Sequence, residues 1–234
     1  MNQQKILVLL CFAFCILHTS QANQKDAYVI SYVWPVYASF SDKLYTRQDF
    51  PFFDGENFAL NYFYPMTSFG GLCTPMFCNK PFSFNATEIK EHDKIYLEKY
   101  FVRFDQYNFQ TSQDLWRKYG NCFNQTESNY FETMVKAHKK FNIVHALQQK
   151  NIYPCEETIY DTQQVVEALS QALNGQKPEL YCSNFHKDEK SGEFVSYLRH
   201  FEVYLDKNLN PTQTSQLCLY EYCPQKIKIP PFKY

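Results

Sequence analysis

The chain has 234 residues, 45% of them hydrophobic and 18% aromatic, which is enough apolar material for one sizeable core and too short for two full domains. Its formal net charge is −1. That balance excludes polycation-type binding, so any contact with nucleic acid must rest on a local site.

The first residues read as an export signal. Lys5 supplies a positive n-region, residues 6–17 are an unbroken apolar run, and Ser20-Gln21-Ala22 places small residues at −3 and −1 of a cleavage site after Ala22. The run is shorter than the roughly 20 residues that a membrane span needs; a retained signal anchor is the competing reading. The expected organisation is a signal peptide at 1–22 and one domain at 23–234, soluble and with no membrane span once cleaved.

Residues 27–34 (AYVISYVW) have strand chemistry and end at Pro35, and residues 57–64 (NFALNYFY) form a second aromatic strand stopped by Pro65. Gly70-Gly71, Pro75 and two cysteines mark an irregular, disulfide-pinned loop. Residues 87–102 have helical period, with Ile89, Ile95, Leu97, Tyr100 and Phe101 apolar and Glu88 and Glu91 in the first turn. A short helix over 113–119 ends at Gly120, and residues 128–149 are the longest helical stretch. Another helix spans 162–173, with Asp161 as N-cap and Asn174-Gly175 as its stop. Strand chemistry returns over 179–182, 193–205 and 216–222. Strands and helices do not alternate regularly, which favours an α+β domain; no repeat or linker interrupts it.

Nine cysteines include Cys11 and Cys15 of the signal segment, leaving Cys73, Cys78, Cys122, Cys155, Cys182, Cys218 and Cys223. In an oxidising compartment most should pair, and the odd count leaves at least one free or bonded to another chain. No CxxC and no zinc-ligand spacing occurs, so neither metal nor cofactor is expected. Asn85-Ala86-Thr87 and Asn124-Gln125-Thr126 are sequons for N-glycans.

Several landmarks then fall into one order. Trp34-Pro35 follows the first strand; Phe58-Ala59-Leu60-Asn61-Tyr62-Phe63-Tyr64-Pro65 resembles F-T-I-H-G-L-W-P, the first active-site segment of the ribonuclease T2 family. Asp114-Leu115-Trp116-Arg117-Lys118-Tyr119-Gly120-Asn121-Cys122 resembles the family's second segment, H-E-W-x-K-H-G-T-C. Phe201-Glu202-Val203-Tyr204-Leu205-Asp206 is similar to its late strand. The ordered set spans nearly the whole mature chain. The resemblance implies an α+β fold, a central antiparallel sheet flanked by helices and tied by disulfides. It also implies pairing of Cys122 with Cys73 or Cys78, and of Cys182 with Cys223 or Cys218, which leaves Cys155 as the candidate free thiol.

The family cleaves RNA by attack of the ribose 2′-hydroxyl on its own phosphate, giving a 2′,3′-cyclic product. That reaction needs a base, an acid and a cation, and histidine serves both proton roles because its pKa lies near working pH. Here the matching positions hold Asn61, Asp114, Leu115 and Tyr119, and only Lys118 of the set survives. Asparagine has no titratable proton, a phenol of pKa about 10 is a poor base, and Asp114 repels a phosphate. Helical spacing lets positions 114, 115, 118 and 119 face one cleft, with Trp116 turned into the core. Among the other histidines, His92 and His138 read as solvated surface, His145 as semi-buried and His200 as structural. The leading expectation is a secreted or lysosomal/vacuolar pseudoenzyme. Its cleft is expected to bind single-stranded RNA or nucleotides through Asn61, Tyr62, Tyr64, Lys118 and Tyr119, or to serve a protein partner. A weak or altered endoribonuclease and a glycoprotein subunit with no RNA role are the alternatives.

Overall fold

The computed structural model describes residues 27–34, 53, 57–66, 78, 83–101, 112–123, 125–183, 186–188, 191–212 and 223–231. The signal segment, the Gly70-Gly71 loop, the strand expected over 216–222, Cys73, Cys218 and Asn124 lie outside these residues.

The organiser is a long strand, β6 (Phe194–Leu205), whose alternation of large apolar and polar residues suits a sheet covered differently on its two faces. β1 (Ala27–Val33) and β4 (Glu179–Cys182) pair antiparallel with it, and β2 (Ala59–Met66) extends the sheet beyond β1. The short β5 (His186–Lys187) is also antiparallel to β6, whereas β7 (Lys226–Ile229) joins it in parallel and carries β3 (Cys155–Asp161) antiparallel. The sheet is therefore mixed, antiparallel save for one pair.

Five α-helices lie among the described residues: α1 (Glu91–Tyr100), α2 (Ser112–Lys118), α3 (Glu127–Lys139), α4 (Ile143–Gln149) and α5 (Thr162–Ala172). Helix α3 starts where Thr126 Oγ1 accepts from the Asn129 amide at 3.3 Å. Its buried stripe of Tyr130, Phe131, Met134, Val135 and His138 repeats at helical spacing. That stripe packs toward β1 and β2: the Tyr130 hydroxyl donates to the Phe63 carbonyl at 2.8 Å, and Tyr32 stacks on His138 at 5.1 Å. Burying each such large side chain stabilises the fold by about 1.5–3 kcal/mol.

Several expectations change here. Pro65 does not stop β2, which runs to Met66; β2 is the sheet edge, where a missing amide costs no ladder bond. The helix expected over 87–102 is a 3-10 turn (Ala86–Glu88) followed by α1, and Ile95, taken as an apolar-face residue, is exposed. The single helix expected over 128–149 is two helices, because Asn142 caps α4 by accepting from the His145 amide at 3.2 Å. His138 is buried, not solvated, and His145 is exposed, not semi-buried. Asp161 does cap α5, accepting from the Gln163 amide at 2.8 Å. Asn174 and Gly175 end α5 in left-handed conformation, with φ of 53° and 84°.

Cys78 bonds Cys122, and Cys182 bonds Cys223; Cys155 is a free, half-buried cysteine.

Candidate functional site

The first segment meets the sheet at an irregularity. Ser31 pairs with Tyr62 and Tyr32 with Leu60, so Asn61 is an extra residue on β2 with no direct cross-strand partner. Its side chain is buried, and Nδ2 donates to Ser31 Oγ at 3.3 Å. The bulge sets Tyr62 and Tyr64 on one sheet face with Ser31 and Glu202, since residues paired across strands point the same way.

The second segment is α2 and the turn after it. Leu115 and Trp116 are buried, and Trp116 Nε1 donates to the Ser83 carbonyl at 2.9 Å, a core role for this ring. Leu115 is only 1% exposed and so lines no open cleft, a correction to the expectation that all four positions of the segment face one. Leucine at this position lets the side chain join the core. Asp114 is half-exposed and pairs with Arg117 at 3.3 Å, one turn along the helix.

Tyr119 and Lys118 do meet the first segment. Tyr119 is buried, stacked on Tyr64 (centroids 5.6 Å apart, 29°) and edge-on to Tyr62 (5.6 Å, 66°). Lys118 Nζ lies 5.0 Å from the Tyr119 ring centroid and 5.8 Å from that of Tyr62. The Gly120 that follows is required by packing: a Cβ there would sit 2.2 Å from Trp116 Cε3. Gly120→Ala should lower stability by about 1–3 kcal/mol, read as a drop in Tm by circular dichroism, because neither the indole nor the backbone has room to give.

Sequence reasoning missed the polar layer beyond these rings. The Tyr64 hydroxyl donates to Glu202 Oε2 at 2.9 Å. Burial pushes the Glu202 carboxyl up to about 7, with the Tyr64 bond opposing and the neighbouring Glu179 adding to the rise. Glu179 stands opposite Glu202 across β4 and β6, and its Oε2 accepts from Tyr181 at 3.0 Å and Tyr204 at 2.8 Å. His200 lies two residues from Glu202 on the same face, flat against Tyr181 at 4.4 Å. Burial, aided by Arg199, lowers its pKa to about 3, so it is neutral and a very weak base. The available signal was the alternation of His200, Glu202 and Tyr204 with Phe201, Val203 and Leu205 in the second half of β6, on the β-period that places one face of a strand together.

Chemically, the cluster offers a cation beside aromatic rings and no imidazole poised near neutrality. Of the other histidines with described side chains, His92 and His145 are exposed, and His138 lies on the opposite, helix-packed side. Among the described residues no three His, Cys, Asp or Glu side chains group as metal ligands.

Residues 11–213 match the model of the ribonuclease T2 family. Ribonuclease DdI of Dictyostelium discoideum is 29% identical over 143 residues, 55% of this chain and 57% of that protein. A ribonuclease-like storage protein of Panax ginseng is 35% identical over 82 residues, 34% of this chain and 32% of that one. The matches thus span about a half and a third of these relatives. Among solved structures, the RNase-related protein from Calystegia sepium superposes with a TM-score of 0.68 at 18% identity, covering 90% of this chain and 100% of that one. RNase NT in complex with 5′-AMP gives 0.67 at 19%, covering 88% and 98%. Both share the fold described above. The chain belongs to the ribonuclease T2 family.

Proposed function

We propose that this protein is a non-cleaving member of its family, a pseudoenzyme that keeps the fold as a binding or interaction module. The observation that carries the reading is Tyr119. At the position of the family's second-segment histidine stands a buried phenol packed between Tyr62 and Tyr64. Such a group neither takes nor gives a proton near neutrality. Asn61 at the first histidine position is committed to Ser31, and His200, on the same face, is too weakly basic to replace an imidazole base. Each missing proton-transfer group is typically worth about 10²–10⁴ in rate, and one such factor removes ordinary activity.

The test is an RNA-cleavage assay on the purified mature protein from acidic to neutral pH, with analysis for the cyclic phosphate. The expected result is no product above that of the Lys118→Ala variant. Turnover that depends on Lys118 would instead establish an altered endoribonuclease.

What the module binds is a second question, and Lys118 favours a nucleotide or single-stranded RNA. Its ammonium, beside the half-buried Tyr62, pairs a phosphate-binding charge with a ring of the kind that stacks on bases. Titration with 5′-AMP and a short RNA, followed at the Tyr62 and Tyr119 resonances, should saturate in the millimolar range or below and be lost in Lys118→Ala. Failure of both ligands leaves the protein-interaction form.

Export belongs to the same proposal: a signal at 1–22 cleaved after Ala22, then residence outside the cell or in a lysosomal or vacuolar lumen. The disulfides Cys78–Cys122 and Cys182–Cys223 support an oxidising compartment. So does Asn85, exposed at its sequon and open to a glycan. Among the described residues no helix is long and apolar enough to cross a membrane.

A further inference from the structure

The corner between α3 and α4 holds a feature that the family's chemistry does not use. Two adjoining cavities, of about 310 Å³ and 460 Å³, open there and share Asn57, Phe58, Asn142 and Val144 in their walls. They lie on the side of the sheet away from the Tyr62–Tyr64–Tyr119 cluster. Tyr32, which lines the smaller one, neighbours Ser31 on β1, and successive strand residues point to opposite faces. The smaller cavity is within the usual size range of small-molecule sites.

Its walls are built rather than accidental. His138 Nε2 lies 3.1 Å from the Phe58 carbonyl and must donate to it, so the neutral ring leaves Nδ1 to accept from the Tyr96 hydroxyl at 2.7 Å. Burial lowers the His138 pKa to about 4, which keeps that tautomer across the physiological range. The bond fixes Tyr96, whose ring pairs with Tyr100 at 4.6 Å. Lys139 is exposed, and its Nζ stands 4.1 Å over the Tyr96 ring. Asn57 and Asn142 add amides to the wall, and no carboxylate among the described residues lines either cavity. The site therefore offers aromatic surface, amides and a single sign of charge.

We propose that this corner binds a small aromatic anion, a flat ring carrying a carboxylate or phosphate, with the ring against Tyr96 and Tyr100 and the charge on Lys139. A ring gains stacking area there, and an anion meets a cation with no carboxylate beside it among the described wall residues. This site is separate from the one at Lys118, and neither depends on the other.

The test is titration of the mature protein with 5′-AMP and with benzoate, following the His138 imidazole resonances by NMR. Adenosine and inorganic phosphate serve as probes lacking the charge or the ring. At least one of the two ring-bearing anions should saturate, about ten-fold more tightly than adenosine or phosphate. Binding of 5′-AMP alone would identify a nucleotide as the source, and binding of benzoate alone an aromatic acid. Lys139→Gln should weaken binding by about ten-fold. Lys118→Ala should leave it unchanged, which separates this outcome from that of the nucleotide reading above. The proposal is overturned if neither anion saturates by about 10 mM. Phosphate binding as tightly as the aromatic anions, or indifference to Lys139→Gln, overturns it equally.

Discussion

The protein should lose stability steeply on acidification below about pH 6.5, with His138 and His200 as the main cause. Both pKa values are lowered in the fold, to about 4 and about 3, chiefly by burial. The unfolded chain takes up these protons near pH 6.5, whereas the native state resists until its own lower values. Stability contributed by the neutral rings is therefore fully present above pH 6.5 and declines as pH falls through 4 and then 3. At 1.36 kcal/mol per unit, the losses at full titration are about 3 kcal/mol for His138 and about 5 kcal/mol for His200. Against a typical total of about 5–15 kcal/mol, the two together are a large fraction of the protein's stability.

Glu202 acts in the other direction. Its carboxyl is raised to about 7, so its contribution is complete below about pH 4.5 and is lost as pH rises toward 7. Between these limits two histidines outweigh one carboxyl, and net stability still climbs with pH. Urea denaturation at intervals from pH 4 to pH 8 should show that climb. His138→Gln should flatten it, and Glu202→Gln should steepen it. A profile unchanged in His138→Gln would show that this ring is not held neutral by the fold.

Removing the Cys182–Cys223 bridge, as Cys182→Ala with Cys223→Ala, should cost about 4 kcal/mol. The bond closes a loop of sequence separation 41, and freeing it restores the corresponding chain entropy to the unfolded state. Its position makes the loss local as well. Cys182 is the last residue of β4, and Cys223 lies three residues before β7. The bond thus ties together two four-residue strands, each too short to hold its place by ladder bonds alone. Calorimetry should show a Tm drop of several degrees or more. Amide exchange should show protection lost first over residues 226–229. Equal stability with and without the bridge would mean that β6 holds both strands unaided.

The elements legible in the sequence were those with a strong local period. β1, β4, β6 and α5 lie within a residue or two of where alternation and caps put them, since their signals are contained in their own residues. β3 (CEETIYD) and β7 (KIKI) were not legible. One is a polar edge strand and the other is four residues long, and each is a strand because its neighbour supplies the ladder. The break between α3 and α4 carries no Gly or Pro, and the Asn142 cap that makes it was masked by continuous helical period. His138 was misread for a related reason. Charged neighbours along a helix report the exposed side, while the buried side is set by what the helix meets.

For the site, the sequence alone determined which side chains these positions carry: Asn61, Asp114 and Tyr119 have no imidazole, and Lys118 has an ammonium. Residue identity decides that, because protonation near neutrality belongs to the side chain. Only the tertiary structure decided where these side chains went. Leu115 joined the core, Asn61 turned to Ser31, and Tyr119 slotted between Tyr62 and Tyr64, leaving Lys118 over the rings. It also set Glu202 beside Glu179 and His138 beside Tyr96. Those pairings join residues far apart in the chain, so the packing of strands and helices, and not any local pattern, brings their charges and rings within reach of one another.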